Sequence, residues 1–208
     1  MIAIIDYDAG NIKSVEKALL LLGEDVVLTR DAKVLLQAEK VILPGVGAFG
    51  DAMEKLKEYG LVDVIHQIVE KKAPFLGICL GLQLLFESSQ ESPGVEGLGI
   101  LKGKIVRIPD GKDADGSDLK IPHIGWNSLT FPKQGRLFAG LSEESYVYFV
   151  HSYYLKAEEN IVTAQTGYGV SIDASVEKEN VFACQFHPEK SSEVGLHILK
   201  NFVSIGRN

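Results

Sequence analysis

The chain has 208 residues, 46% of them hydrophobic and 24% charged, which supplies a sizeable core and excludes disorder as the main state. Lys and Arg number 21 against 28 Asp and Glu, a formal charge of −7 that argues against a nucleic-acid binder. The longest nearly apolar run, Ala73 to Phe86, is short of a membrane span, the N-terminus lacks the basic flank of a secretory signal, and two distant cysteines make no disulfide framework. A soluble cytoplasmic protein with one domain over residues 1–208 is expected, with no nucleic-acid or membrane partner.

In chain order, Ile2 to Ile5 reads as a buried strand. A helix follows, with Asn11 as N-cap, Ile12, Val15, Leu19 and Leu22 at helical spacing, and Gly23 as its stop. Asp25 to Thr29 and Val41 to Leu43 read as strands, the second stopped by Pro44. Helical patterns run from Asp51 to Tyr59 and from Leu61 to Val69. Phe75 to Ile78 is the next strand, and Leu80 to Phe86 begins the next helix. This rhythm predicts a parallel sheet with helices on both faces. The second half carries closely spaced strands at Lys104 to Ile108, Tyr146 to Tyr154, Ile161 to Thr166, Val170 to Val176 and Val181 to Phe186, several suited to antiparallel hairpins. A last helix spans Ser192 to Val203. Asp110 to Asp118 is polar throughout and reads as a loop tip.

Three constellations carry chemistry. Gly77-Ile-Cys79-Leu-Gly81 lies between an apolar strand and an apolar helix, where flanking glycines permit a sharp turn that presents a nucleophile. At a helix N-terminus the thiolate of Cys79 is favoured, and the Leu80 amide is placed to meet an oxyanion. Cys184 has no such turn and reads as structural. His187-Pro188-Glu189 follows an apolar strand. Proline excludes a helix and favours extended chain, in which residues i and i+2 project together, so Glu189 can orient the His187 imidazole. Nucleophile, base and orienting acid form the minimum set for acyl transfer. The third, Gly45-Val-Gly47-Ala-Phe-Gly50, has the form of a dinucleotide-binding turn, but the acid expected at the end of the next strand is missing. Its alternative role is to supply, from Gly47 or Val46, a second oxyanion donor. His66 and His197 read as surface residues, and no clustered ligand set predicts a metal.

Gly77-Ile-Cys-Leu-Gly-Leu-Gln-Leu-Leu85 and Gln185-Phe-His-Pro-Glu-Lys-Ser191 resemble the triad-type (class I) glutamine amidotransferases, and the likeness extends along the whole chain. Asp6-Tyr7 with Gly10-Asn11, Pro44 to Phe49, Pro122-His-Ile-Gly-Trp-Asn127 and Tyr148 to Tyr153 resemble, more narrowly, the glutaminase subunits of imidazole glycerol phosphate synthase. The resemblance implies a flavodoxin-like, mostly parallel sheet with added antiparallel strands. It implies hydrolysis of L-glutamine through a cysteinyl thioester, without cofactor or metal, for a synthase that makes imidazole glycerol phosphate and AICAR in histidine biosynthesis. Cys79, His187 and Glu189 would be the triad, with Gly47 and Leu80 at the oxyanion hole. Gln83, Glu91, Ser152 and Tyr153 would contact glutamine. The partner would be a barrel-fold synthase in a heterodimer, with Asn11, His123, Trp126, Asn127 and Lys190 on or near the interface. With the resemblance Trp126 reads as an exposed anchor in a polar turn; from the residues alone it reads equally as a core residue.

Overall fold

The computed structural model describes residues 1–112 and 116–206. Strands β1 (Ile2–Ile5), β2 (Val26–Thr29), β3 (Lys40–Gly45) and β4 (Phe75–Cys79) pair in parallel in the order β2-β1-β3-β4. They alternate with helices α1 (Ile12–Leu21), α2 (Ala32–Gln37), α3 (Phe49–Glu58), α4 (Leu61–Glu70) and α5 (Leu80–Leu84). Period-two alternation sends Ala3, Ile5, Leu43 and Phe75 to a core shared with Met53, Leu56, Ile65 and Ile68 of α3 and α4. Ile2, Ile4, Ile42 and Leu76 go to the opposite core, with Val15 and Leu19 of α1 and Ile198 and Phe202 of the final helix α6 (Ser192–Ser204). The sheet is thus covered on both faces, as the sequence predicts.

After β5 (Ser88–Ser89) and β6 (Gly103–Arg107), the chain leaves the main sheet to form β7 (His123–Ser128) and β8 (Tyr146–His151), an antiparallel pair of their own. It returns as β9 (Tyr153–Ala157), β10 (Val162–Tyr168), β11 (Val170–Lys178) and β12 (Val181–Cys184). β12 lies parallel to β4, and β11 extends the sheet antiparallel from it towards β9, β6 and β5, with β10 paired to β11 off that path.

Several expectations are corrected. The stretch Tyr146 to Tyr154 is two strands in two sheets, broken at Ser152. β3 runs through Pro44 to Gly45 instead of stopping at the proline. The sequence reading omits α2, although Asp31 caps it by accepting from the amides of Lys33 and Val34 at 2.7 and 3.3 Å. Trp126 lies in strand β7, not in a turn. Asn11 is in the left-handed region (φ 68°) and makes no side-chain cap. His66 and His197 are half-buried, and the His197 Nε2 lies 2.8 Å from the Ala139 carbonyl. Of the polar segment 110–118, Asp113 to Asp115 lie outside the described residues; at its ends Arg107 pairs with Asp110 and Lys112 with Asp118. No helix among the described residues is long and apolar enough to cross a membrane.

Candidate active site

β4 and β12 are parallel neighbours, so their C-terminal ends bring Cys79 and the segment from Gln185 to Glu189 to the same sheet edge. Cys79 itself bears the turn, at φ 53° and ψ −108°, a region that non-glycine residues avoid. The glycines do something different from what the motif suggests. A Cβ at Gly81 would overlap the backbone carbonyl oxygen of Leu43, and one at Gly77 would approach the Gly81 carbonyl oxygen to 2.7 Å. Their missing side chains let α5 press against β3 and β4, which fixes the sharp turn.

His187 sits in extended backbone (φ −100°, ψ 97°), but Pro188 to Lys190 form a 3-10 turn, with proline at its first position. The carboxylate therefore reaches the ring by a turn, not by extended-chain alternation. Glu189 Oε1 lies 2.7 Å from His187 Nδ1 and accepts a second hydrogen bond, at 2.9 Å, from Asn11 Nδ2. Asn11 thus braces the carboxylate from α1, while its Oδ1 accepts from the Ser14 hydroxyl at 2.8 Å. Glu189 Oε2 and His187 Nε2 are buried without a hydrogen-bond partner. Burial disfavours the imidazolium, but the Cys79 sulfur and the Glu189 carboxylate outweigh it and lift the His187 pKa to about 10. The His187 backbone is tied to β8 through its amide to the Tyr148 carbonyl at 2.9 Å, and Ser191 Oγ donates to the His187 carbonyl at 2.6 Å.

A cavity of about 420 Å³ opens on Cys79, lined by Gly47, Leu80, Gln83, Glu91, Ser152, Tyr153, His187 and Lys190 among others. The triad, oxyanion and substrate-contact candidates, apart from Glu189 behind the histidine, therefore share one site, with Lys190 at its exposed rim. Ser152 and Tyr153 line it because the chain changes sheets there. The glycine loop joins the same cavity through Val46 and Gly47. The first amides of α3, which a dinucleotide pyrophosphate would need, are occupied: Phe49 N donates to Glu91 Oε2 at 2.8 Å and Gly50 N to Ser92 Oγ at 2.9 Å. Glu91 is thus both cavity wall and helix cap.

Of the expected interface residues, His123, Trp126 and Asn127 lie in β7 and divide between the two faces of the β7–β8 pair, while Asn11 precedes α1 and Lys190 ends the 3-10 turn. Ile124 and Trp126 point outward, 60% and 52% exposed, with Tyr146 also exposed nearby. His123 is buried, stacked between Phe149 and Tyr168, and so lies behind the outer face instead of on it. Asn127 also turns inward, donating to the Gly167 carbonyl at 2.9 Å.

Two buried residues near the site were given no role by the sequence reading. His151 Nδ1 is 2.9 Å from the Tyr153 carbonyl and its Nε2 is 3.0 Å from His123 Nδ1. A carbonyl only accepts, so His151 carries its proton on Nδ1 and accepts at Nε2 from His123. Burial holds both rings neutral, with pKa values pushed down to about 3 for His151 and about 4 for His123. The second is Gln185, fully buried, whose Nε2 donates to Cys79 Sγ at 3.7 Å. A glutamine directly after the all-apolar run of β12 was the available signal.

The family model of class-I glutamine amidotransferases matches residues 3–205. The imidazole glycerol phosphate synthase subunit HisH of Caldanaerobacter subterraneus is 53% identical over 97% of each chain. Its counterpart in Aquifex aeolicus is 52% identical over 96% of this chain and 94% of that one. A crystal structure of a glutamine amidotransferase superposes with a TM-score of 0.73 at 21% identity, covering 97% of this chain and 98% of the other. With the family model matched over almost the whole chain and relatives of this closeness, the chain belongs to the class-I glutamine amidotransferase family, among the imidazole glycerol phosphate synthase subunits HisH.

Proposed function

We propose that the chain is the glutaminase subunit of a heterodimeric, cytoplasmic imidazole glycerol phosphate synthase, a lyase of histidine biosynthesis. Its substrate is L-glutamine, and the ammonia it releases passes to a barrel-fold synthase subunit. The Cys79 thiolate attacks the side-chain carboxamide carbon, and the oxyanion that forms is met by the amides of Leu80 and Gly47. His187, held as imidazolium by Glu189, gives its proton to the departing ammonia, leaving a thioester on Cys79. The neutral imidazole then takes a proton from water, which attacks the thioester carbon and releases glutamate. Gln83, Glu91, Ser152 and Tyr153 hold the amino-acid end of the substrate.

The observation that carries this reading is the conjunction at one cavity of the strained Cys79 turn and the buried His187–Glu189 pair. The apolar outer face of β7–β8 supports a partner: Ile124, Trp126 and Tyr146 are large, exposed and adjacent to the cavity wall at Val150. Asn11 and Lys190, beside the same site, would complete the rim of that interface. The test is glutamine hydrolysis with and without a barrel-fold synthase and its nucleotide ligand. Stimulation that is weakened in Trp126→Ala, with Cys79 intact, is expected. Full activity on peptides or esters without any partner would indicate a cysteine hydrolase instead.

A further inference from the structure

Gln185 is fully buried, although a buried amide is costly unless its polar atoms are satisfied. Its Oε1 accepts from Gln83 Nε2 at 3.0 Å, and its Nε2 lies 3.7 Å from Cys79 Sγ. The directions of both amides follow from one fixed group. The Tyr153 carbonyl can only accept, and Gln83 Nε2 donates to it at 3.1 Å. Reversing Gln83 would set two oxygens against each other. With Gln83 held, reversing Gln185 would set two N–H donors against each other. The only polarity without a repulsive contact aims a Gln185 N–H at the sulfur. A thiol sulfur is a weak acceptor, whereas a thiolate is a strong one, so this donor matches the ionised form.

We propose that Gln185 is a further residue of the acyl-transfer machinery, donating a hydrogen bond that holds the Cys79 sulfur as thiolate and in place, with Gln83 and the Tyr153 carbonyl fixing its direction. This rests on the reading of Cys79 as nucleophile. The same carbonyl also orders the histidine pair on its other side, since His151 Nδ1 donates to it. One backbone oxygen at the junction of the two sheets therefore sets hydrogen-bond polarity both towards Cys79 and towards β7. A purely structural glutamine, tying α5 to the end of β12, would not need a donor on the sulfur.

The test is the pH dependence of Cys79 alkylation by iodoacetamide, site-mapped by peptide analysis, in the wild type and in the near-isosteric Gln185→Met. The titratable groups that interact with the sulfur are His187, Tyr7 and Cys184, with His151, Glu91 and Lys190 around the same cavity, and all are unchanged in the variant. Losing one hydrogen bond to a charged group should move the profile about one to two pH units to the alkaline side. Turnover at neutral pH should fall accordingly. A wild-type alkylation profile in folded Gln185→Met overturns the proposal. The wild-type protein gives a second reading that requires no variant. The side-chain amide protons of Gln185, observed by NMR, should titrate with the midpoint of the alkylation profile, and protons that do not move with it overturn the proposal as well. If Cys79 of the wild type alkylates no faster than Cys184, the nucleophile reading fails and takes this proposal with it; a fast Cys79 with an unchanged variant profile refutes the Gln185 role alone.

Discussion

Replacing Glu189 by Gln separates orientation from charge in the proposed triad. In the native site Oε1 alone receives both donors, His187 Nδ1 at 2.7 Å and Asn11 Nδ2 at 2.9 Å, while Oε2 is buried without a partner. A glutamine can keep its oxygen in the Oε1 position and satisfy both donors, so the ring keeps its tautomer and its place. Its NH2 then occupies the Oε2 position, where an unsatisfied buried donor costs about 1–3 kcal/mol. For a domain of this size that predicts a fall in Tm of about 2–4 °C per kcal/mol. What is lost in catalysis is the charge facing the imidazolium, a difference between a charged and a neutral hydrogen bond of about 1–1.5 kcal/mol, or a drop of about 5- to 10-fold in kcat. His187→Ala removes the proton carrier and should cost more, on the order of a thousandfold. The pH dependence of stability has a definite sign. With the folded pKa of His187 raised to about 10, its stabilisation is complete below the unfolded value near 6.5 and is lost as pH rises towards 10. In Glu189→Gln the folded pKa falls, so that loss should be smaller and complete at lower pH. Steady-state glutaminase assays and thermal melts between pH 6.5 and 10 measure both effects. Wild-type turnover in Glu189→Gln would reduce the triad to a Cys–His dyad, and a loss equal to that of His187→Ala would give Glu189 a role beyond orientation and charge.

A glutamine-mimicking chloroketone should label Cys79 and leave Cys184 untouched. Cys184 is fully buried, and burial, with the charges of Glu189 and Cys79, pushes its thiol pKa up; peptide mapping that finds comparable labelling of Cys184 contradicts this. Gly81→Ala should destabilise the fold by about 1–3 kcal/mol or more, because the new methyl meets the backbone of Leu43, which cannot yield as a side chain would; an unchanged melting curve would contradict the close approach of α5 to β3. The buried pair His123 and His151, with folded pKa values near 4 and 3, binds fewer protons than in the unfolded chain, so stability falls as pH drops below about 6.5. Denaturant titrations between pH 7 and 4.5 should show this slope flattened in a folded His123→Gln variant, and an unaltered slope would count against the pair.

The parallel half of the fold was legible because buried strands of four or five apolar residues alternate with helices whose apolar stripes have the right period, as in β1, α1 and β4. The 3-10 turn at Pro188 was misread because proline forbids a helix interior yet suits a first turn. The β8–β9 break was invisible because Tyr146 to Tyr154 is one run rich in aromatic and β-branched residues with no glycine or proline to mark a stop, yet the chain changes sheets at Ser152. At the candidate site, local motifs singled out Cys79, His187 and Glu189, which the fold brings together. The hydrogen bonds of Asn11, His151 and Gln185 were not legible, since each depends on a partner distant in sequence: Glu189 for Asn11, His123 for His151, Gln83 and Cys79 for Gln185.

The central claim, that Cys79 generates ammonia for a partner synthase, is tested most directly by paired assays of the complex carrying Cys79→Ala. Cys79 packs with little exposed surface, and removing one sulfur atom leaves the elbow and both cores in place, so the variant should fold and bind its partner. Product formation from glutamine should vanish, because no thioester can form, while product formation from ammonium salt at alkaline pH should match the wild type. Retained glutamine-dependent synthesis, or loss of ammonium-dependent synthesis in a complex that still assembles, would contradict the account.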